Sequence, residues 1–256
     1  MRRQDGRMSG VLIGIGVGPG DPEHLTLKAL RALERADRVF VPVTEAAGET
    51  GRAEHVVAPH VDPAKIERIT FNMRDASLRH ENWDRAGTAI AAVVGEGGTA
   101  AFCTLGDPNV YSTFTYMAHT VRSMLPDVVV ETIPGITAMQ DLAARSGAIL
   151  TEGNESLTLL PLTAGEDVLR AALRSSDTVV AYKGGRHMPR VREVLAEEGR
   201  LEQAIYGEHL GVQGEEVARA ADDAEKRGPY LSTVIVPPAR RGTRGERLQD
   251  ETGRAI

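Results

Sequence analysis

Eight short runs of apolar and β-branched residues recur along the chain, separated by longer stretches of helical period, and this alternation limits the fold more than any other feature. The runs cover 11–17, 38–43, 99–105, 128–133, 157–162, 178–183, 203–209 and 232–237. Helical period fills 22–36, 78–95, 110–125, 136–147, 166–175, 188–198 and 214–227. Gly95, Gly147 and Gly199 stand where helix ends favour a left-handed residue. Strands alternating with helices at this spacing give an α/β fold, and no repeat of solenoid period interrupts it. A break at Leu125-Pro126-Asp127 divides the chain into two α/β domains, 10–126 and 127–238. The ends, 1–9 and 239–256, are polar and rich in Gly and Arg, too poor in apolar residues to offset ordering entropy; both are expected to be flexible.

With 256 residues there is enough chain for two modest cores. The formal charge of −6 argues against a broad nucleic-acid surface, which needs a concentrated excess of Lys and Arg. Cys103 is the single cysteine, so no internal disulfide or multi-cysteine metal site can form. No apolar run approaches the roughly 20 residues that span a bilayer, and "MRRQDGRMSG" lacks the apolar core of a signal peptide. The expectation is a cytoplasmic protein with no membrane partner.

The segment "GIGVGPGDPEHLTLK" at 14–28 crowds glycines between the first strand and a helix. A dinucleotide fingerprint needs glycine at positions one, three and six. Counted from Gly14 the sixth position is Pro19, and counted from Gly16 it is Asp21. Asp21 at the N-cap and Glu23 behind it also repel a phosphate from that helix end. No Gly-Lys-Ser/Thr follows, which excludes a P-loop. The loop is then either a well-capped tight turn or a ligand loop at the carboxyl end of a strand.

Three further segments share this grammar of strand, turn residues, then helix. In "TLGDPNVYSTFTYM", 104–117, Asp107 is the one charge in the 20 residues from Thr99 to Ala118. It reads as a cap, with pocket lining as the alternative. In "ETIPGITAMQDLAARSG", 131–147, Thr137 can cap a helix or face a ligand. In "TVVAYKGGRHMPRVRE", 178–193, Lys183, Arg186, Arg190 and Arg192 cluster beside two glycines. They form either a solvated basic face or a receptor for a substrate bearing several carboxylates. His55 and His60, with Pro59 between them, suit no helical metal-ligand pair, and Cys103 inside an apolar run reads as a core thiol. No metal site and no acid, base or nucleophile set emerges, so the catalytic residues stay unassigned.

Four of these stretches, "GVGPGDPEHLTLKAL", "TLGDPNVYSTFTYM", "IPGITAM" and "YLSTVIV", together resemble the tetrapyrrole (uroporphyrin/corrin/porphyrin) methylases, in that family's order and over about residues 10–237. Within the family, "YSTF" and "DTVVAYKGGR" look most like the precorrin-2 carbon-20 methyltransferases of cobalamin biosynthesis. Departures are Asn72 in "FNMRD", where Pro is usual, and His209 in "YGEHL", where Arg is common.

The resemblance implies two α/β domains with a cofactor and substrate cleft between them, S-adenosylmethionine as methyl donor, a tetrapyrrole substrate and a homodimer. Carried onto this sequence, Pro19, Leu105, Gly106, Asp107, Val110, Thr137 and Ala138 would line the donor, with Lys183 contributing its backbone. Arg74, Tyr111, Ser112, Thr113 and Arg186 are the expected substrate contacts. Another corrin-ring methyltransferase, or a branch of the superfamily acting on macromolecules, is the alternative. A silent small-ligand sensor on the same fold is a third.

Overall fold

The computed structural model describes residues 10–43, 50–71, 76–222 and 227–239. The flexible ends expected at 1–9 and 239–256, residue 239 apart, lie outside these residues, as does Arg74. The chain divides into two compact units, parting between Thr137 and Ala138.

The first unit runs β1 (Val11–Gly16), α1 (Leu27–Arg35), β2 (Arg38–Val43), α2 (Arg52–Val57), β3 (Ile66–Thr70), α3 (Ala76–Gly95), β4 (Thr99–Thr104), α4 (Phe114–Met124) and β5 (Val129–Ile133). Its five strands lie in the order β3-β2-β4-β1-β5, all parallel. Parallel strands flanked by helices bury both faces, which is why β1 and β4 read as unbroken apolar runs rather than alternating ones. Ile13, Ile15, Ala101 and Cys103 point to a core shared with α1 and α2. Leu12, Ala100 and Phe102 point the opposite way, to α3 and α4. Burial pushes the Cys103 thiol well above its ordinary range, as befits a core side chain. Because β5 pairs with β1, it completes the first unit instead of opening the second at residue 127.

The second unit holds α5 (Ala138–Ser146), β6 (Leu157–Pro161), α6 (Glu166–Ser175), β7 (Thr178–Tyr182), α7 (Met188–Glu197), β8 (Ile205–Glu208), β9 (Glu216–Arg219) and β10 (Ser232–Val236). The order is β6-β7-β10-β8-β9, with β6 and β7 parallel and the other pairs antiparallel. Leu169 of α6 and Val194 of α7 pack on Val179 and Val234, while Leu142 of α5 packs on Val180 and Ile235 from the other face.

Three sequence expectations are corrected. The helix expected over 214–227 is replaced at its start by β9, whose Ala218 pairs with Tyr206 of β8; cross-strand pairing overrides the local propensity of "EEVARAADDAE". The helix expected from 22 starts at Leu27, capped by the Thr26 hydroxyl accepting from the Ala29 N–H at 3.1 Å. Pro22–His24 form a separate 3₁₀ turn. After α3 the left-handed glycine is Gly97, not Gly95, whereas Gly147 and Gly199 do take positive φ.

Phe114 anchors α4 by laying its ring on β1, where a Cβ at Gly14 would come within 2.4 Å of the ring. Phe114 is itself held against Phe102, their centroids 6.0 Å apart, and cannot easily withdraw. Gly14→Ala should therefore cost about 1–3 kcal/mol through overpacking and lower the melting temperature by several degrees. Thermal unfolding followed by circular dichroism checks this, and an unchanged midpoint would contradict the packing.

Candidate ligand site at the strand ends

In the first sheet β1 is bonded to β4 on one side and β5 on the other, so three parallel strands end side by side at Gly16, Thr104 and Ile133. The loops leaving them are drawn together through their backbones. The Val17 N–H donates to the Thr104 carbonyl at 2.9 Å. The Gly106 N–H donates to the Gly18 carbonyl at 2.8 Å, and the Gly18 N–H returns a longer bond of 3.4 Å. A Cβ at Gly16 would stand 2.5 Å from the Gly106 oxygen and 2.6 Å from the Gly135 nitrogen; one at Gly135 would stand 2.2 Å from the Gly106 oxygen. These glycines are required because main chain meets main chain there. Gly106 also has φ +65°, a conformation that favours glycine.

Asp107 takes a bond at each carboxylate oxygen. Its Oδ1 accepts from the Asn109 N–H at 2.8 Å, within its own loop. Its Oδ2 accepts from the Gly135 N–H at 3.1 Å, in the loop after β5. Thr104 and Ser112 share a hydroxyl bond of 2.9 Å, and the Ser112 Oγ accepts from the Phe114 N–H at 3.0 Å, capping α4. Tyr111 is exposed and sits at φ +49°; burial of part of its ring raises its hydroxyl pKa above the ordinary value.

The first unit thus gathers Pro19, Leu105, Gly106, Asp107, Val110 and Thr137 on one rim of strand ends, with Pro19 and Thr137 buried. Tyr111, Ser112 and Thr113 follow on the approach to α4. Asp21 is occupied in its own turn, where its Oδ1 accepts from the Glu23 N–H at 2.8 Å. The main-chain groups described at the rim bond one another or Asp107, and the Asp21 carboxylate beside them repels a phosphate. A phosphate-free cofactor such as S-adenosylmethionine meets no such repulsion.

Ala138, Lys183 and Arg186 belong to the second unit. Ala138 opens α5, and the Tyr182 hydroxyl accepts from the next amide, Met139 N–H, at 3.0 Å. Lys183 follows β7 at φ +64° and His209 follows β8 at φ +52°. Both strands run antiparallel to β10, so these two residues leave the same edge of the second sheet. Gly184 and Gly185 are pressed close: a Cβ at 184 would lie 2.0 Å from Leu162 Cδ1, and one at 185 would lie 2.1 Å from the Pro229 oxygen.

The basic cluster read from sequence separates by role. Arg190 is held by Glu166 at 2.7 Å and Glu193 at 2.5 Å, and hydrogen bonding to Arg190 lowers the Glu166 pKa. Arg192 is buried, donating from Nε to the Ala220 carbonyl at 2.5 Å. Arg186 is exposed on the 3₁₀ turn Gly185–His187 and has no carboxylate partner among the described residues. Sequence reasoning missed Gly16, Gly135 and Tyr182 as site-building residues. The first two were legible as glycines at strand ends, but Tyr182 gave no signal. Among the described residues no group of three His, Cys, Asp or Glu could hold a metal ion.

Comparison with known proteins adds a separate line of observation. Residues 11–222 match the family model of the Tetrapyrrole (Corrin/Porphyrin) Methylases. The chain is 34% identical over 244 residues to the precorrin-2 C(20)-methyltransferase of Sinorhizobium sp, covering 90% of this chain and 98% of that one. It is 28% identical over 233 residues to the cobalt-precorrin-2 C(20)-methyltransferase of Salmonella typhimurium, covering 90% and 97%. The crystal structure of a cobalamin synthesis related protein, CobF, from Corynebacterium diphtheriae shares the fold, with a TM-score of 0.70 at 20% identity over 90% of this chain and 99% of that one.

Proposed function

The chain belongs to the tetrapyrrole (corrin/porphyrin) methylases, and from that premise we propose that it transfers a methyl group from S-adenosylmethionine to carbon-20 of precorrin-2 or of its cobalt-bearing counterpart, in cobalamin biosynthesis. The observation that carries the reading is the similarity over nearly the full length of both chains to a precorrin-2 C(20)-methyltransferase. The strand-end rim of the first unit supports the reading, because loops at the carboxyl ends of parallel strands converge there, where open α/β sheets take ligands.

The sulfonium supplies an electrophilic methyl group when bound, and carbon-20 of a reduced tetrapyrrole is an electron-rich, enamine-like carbon. What remains for the protein is to hold the two in line and exclude water, which positioning can achieve without a nucleophile. In this reading Pro19, Leu105, Gly106, Val110, Thr137 and Ala138 line the donor, Asp107 belongs to the same rim through the amides it binds, and Lys183 offers its main chain. Tyr111, Ser112, Thr113, Arg186 and Arg74 meet the tetrapyrrole, although Ser112 already spends its hydroxyl on Thr104 and the Phe114 amide. Arg186, exposed and without a carboxylate partner among the described residues, suits a substrate carboxylate. The enzyme is further proposed to be cytoplasmic and homodimeric; no described helix is long and apolar enough to cross a membrane.

Incubation with labelled S-adenosylmethionine and either metal-free or cobalt-bearing substrate should yield a product carrying one added methyl group at carbon-20. Binding without transfer to either ring would sink the enzymatic reading in favour of a sensor. Arg186→Ala should raise the tetrapyrrole KM by roughly tenfold, the worth of a charge-assisted bond, with donor binding unaffected. Unchanged substrate affinity would remove Arg186 from the site. Light scattering should return twice the 27.5 kDa chain mass, and a single-chain mass would refute the dimer.

A further inference from the structure

We infer that Asp107 is a positioning residue, a strap that closes the donor rim before the donor arrives, and not a counter-charge for the sulfonium. This rests on the donor-site reading above.

The argument begins with the sheet order. β4 and β5 are not neighbours, because β1 lies between them. The bond from the Gly135 N–H to Asp107 Oδ2 therefore passes over the end of β1, joining the two outer loops across the middle one. At that crossing a Cβ on Gly16 would strike both the Gly106 oxygen, at 2.5 Å, and the Gly135 nitrogen, at 2.6 Å. Three chain ends are thus held in main-chain contact, and the strap's side chain reaches from one outer loop to the other.

The carboxylate's second oxygen fixes the geometry of its own arm. By accepting from the Asn109 N–H at 2.8 Å, Oδ1 sets the side-chain torsion so that Oδ2 faces Gly135. A counter-charge would direct an oxygen toward the ligand; here each oxygen faces a backbone amide. The requirement for a carboxylate follows, since two amide donors need two acceptor atoms. Asn supplies one acceptor oxygen and turns an NH₂ toward the other amide. Asp107 is also the sole charge in twenty residues, so no nearby cation competes for it in sequence.

The test uses the full chain and two donor analogues that differ in charge at sulfur: S-adenosylmethionine, a sulfonium, and S-adenosylhomocysteine, a neutral thioether. In Asp107→Asn, calorimetric Kd values for both should rise by the same factor, about tenfold or more, the worth of a bond to a charged acceptor. The donor KM should rise with them, while kcat at saturating donor falls by less than about threefold, because bound donor holds the loops in the strap's place. Weakening of the sulfonium at least ten times greater than of the thioether would overturn the inference and make Asp107 a direct ligand. Unchanged affinity for both would overturn it equally.

A second measurement needs no variant. In the ligand-free wild-type protein the Gly135 amide should exchange with solvent at least about tenfold more slowly than an unstructured amide. Exchange at the unstructured rate would remove the strap. Wild-type protein that binds neither analogue would instead defeat the donor-site reading, and this inference with it, whatever the Gly135 exchange rate.

Discussion

The contact on which the first unit depends is between main chains: the Gly106 carbonyl lies against Gly16 and Gly135, with no room for a side chain between them. That contact exists because β4, β1 and β5 are parallel and in register, Gly16 opposite Thr104 and Ile15 opposite Ile133, so their loops start level with one another. In an antiparallel arrangement neighbouring strands would end at opposite edges and the three loops could not meet. Burial of both sheet faces then fixes the register, since a slip of one residue in β1 would exchange Ile13 and Ile15 for Leu12 and Gly14 across the two cores. The convergence of the loops is thus a consequence of the core, with glycines at the points where they meet.

Charge is arranged for a different purpose. Arg170 and Arg174 of α6 share Glu198, Arg170 also meets Glu197, and Arg190 of α7 meets Glu166. These pairs lash the two outer helices of the second unit together. Hydrogen bonding to Arg174 is the leading cause that lowers the Glu198 pKa. Most of the arginines involved are well exposed, so each pair adds little to stability. Their consequence is subtractive: with Arg190 held by carboxylates and Arg192 turned inward, Arg186 is the arginine of the sequence's basic cluster left exposed without a carboxylate partner among the described residues.

The α/β class, the eight apolar strands and most helices were legible in the sequence, because central strands buried on both faces leave continuous apolar runs. The strands that were not read, β3 and β9, stand at the edges of the two sheets. Their sequences, "IERIT" and "EVAR", carry charged residues and together bury only Ile69 fully, so no apolar run marks them. Asp107 was seen as isolated and as a cap. Its second bond, to Gly135, links residues 28 positions apart and leaves no local pattern. Ser112 was read as a substrate contact, but its engagement with Thr104 and Phe114 depends on how α4 is anchored by Phe114 over Gly14, which lies beyond local sequence. The edge shared by Lys183 and His209 follows from both β7 and β8 pairing with β10, a third strand far along the chain.

Backbone strain in the described residues has a location that packing alone does not require. The non-glycine residues with positive φ are Tyr111, Lys183 and His209. Each carries a cost of order 1 kcal/mol that glycine would remove. Lys183 makes the point most clearly, for the next two positions are already glycine. At 184 and 185 the backbone needs glycine because Leu162 and Pro229 leave no space, whereas at 183 a lysine is kept where φ favours glycine. A strained side chain persists where the surrounding structure fixes it, and here that structure is the edge of β7, β10 and β8. Tyr111 occupies the corresponding situation in the first unit, just beyond the strap on the approach to α4. Strain thus falls in the loop after β4 and on the residues that directly follow β7 and β8, and it marks side chains retained at a local cost to stability.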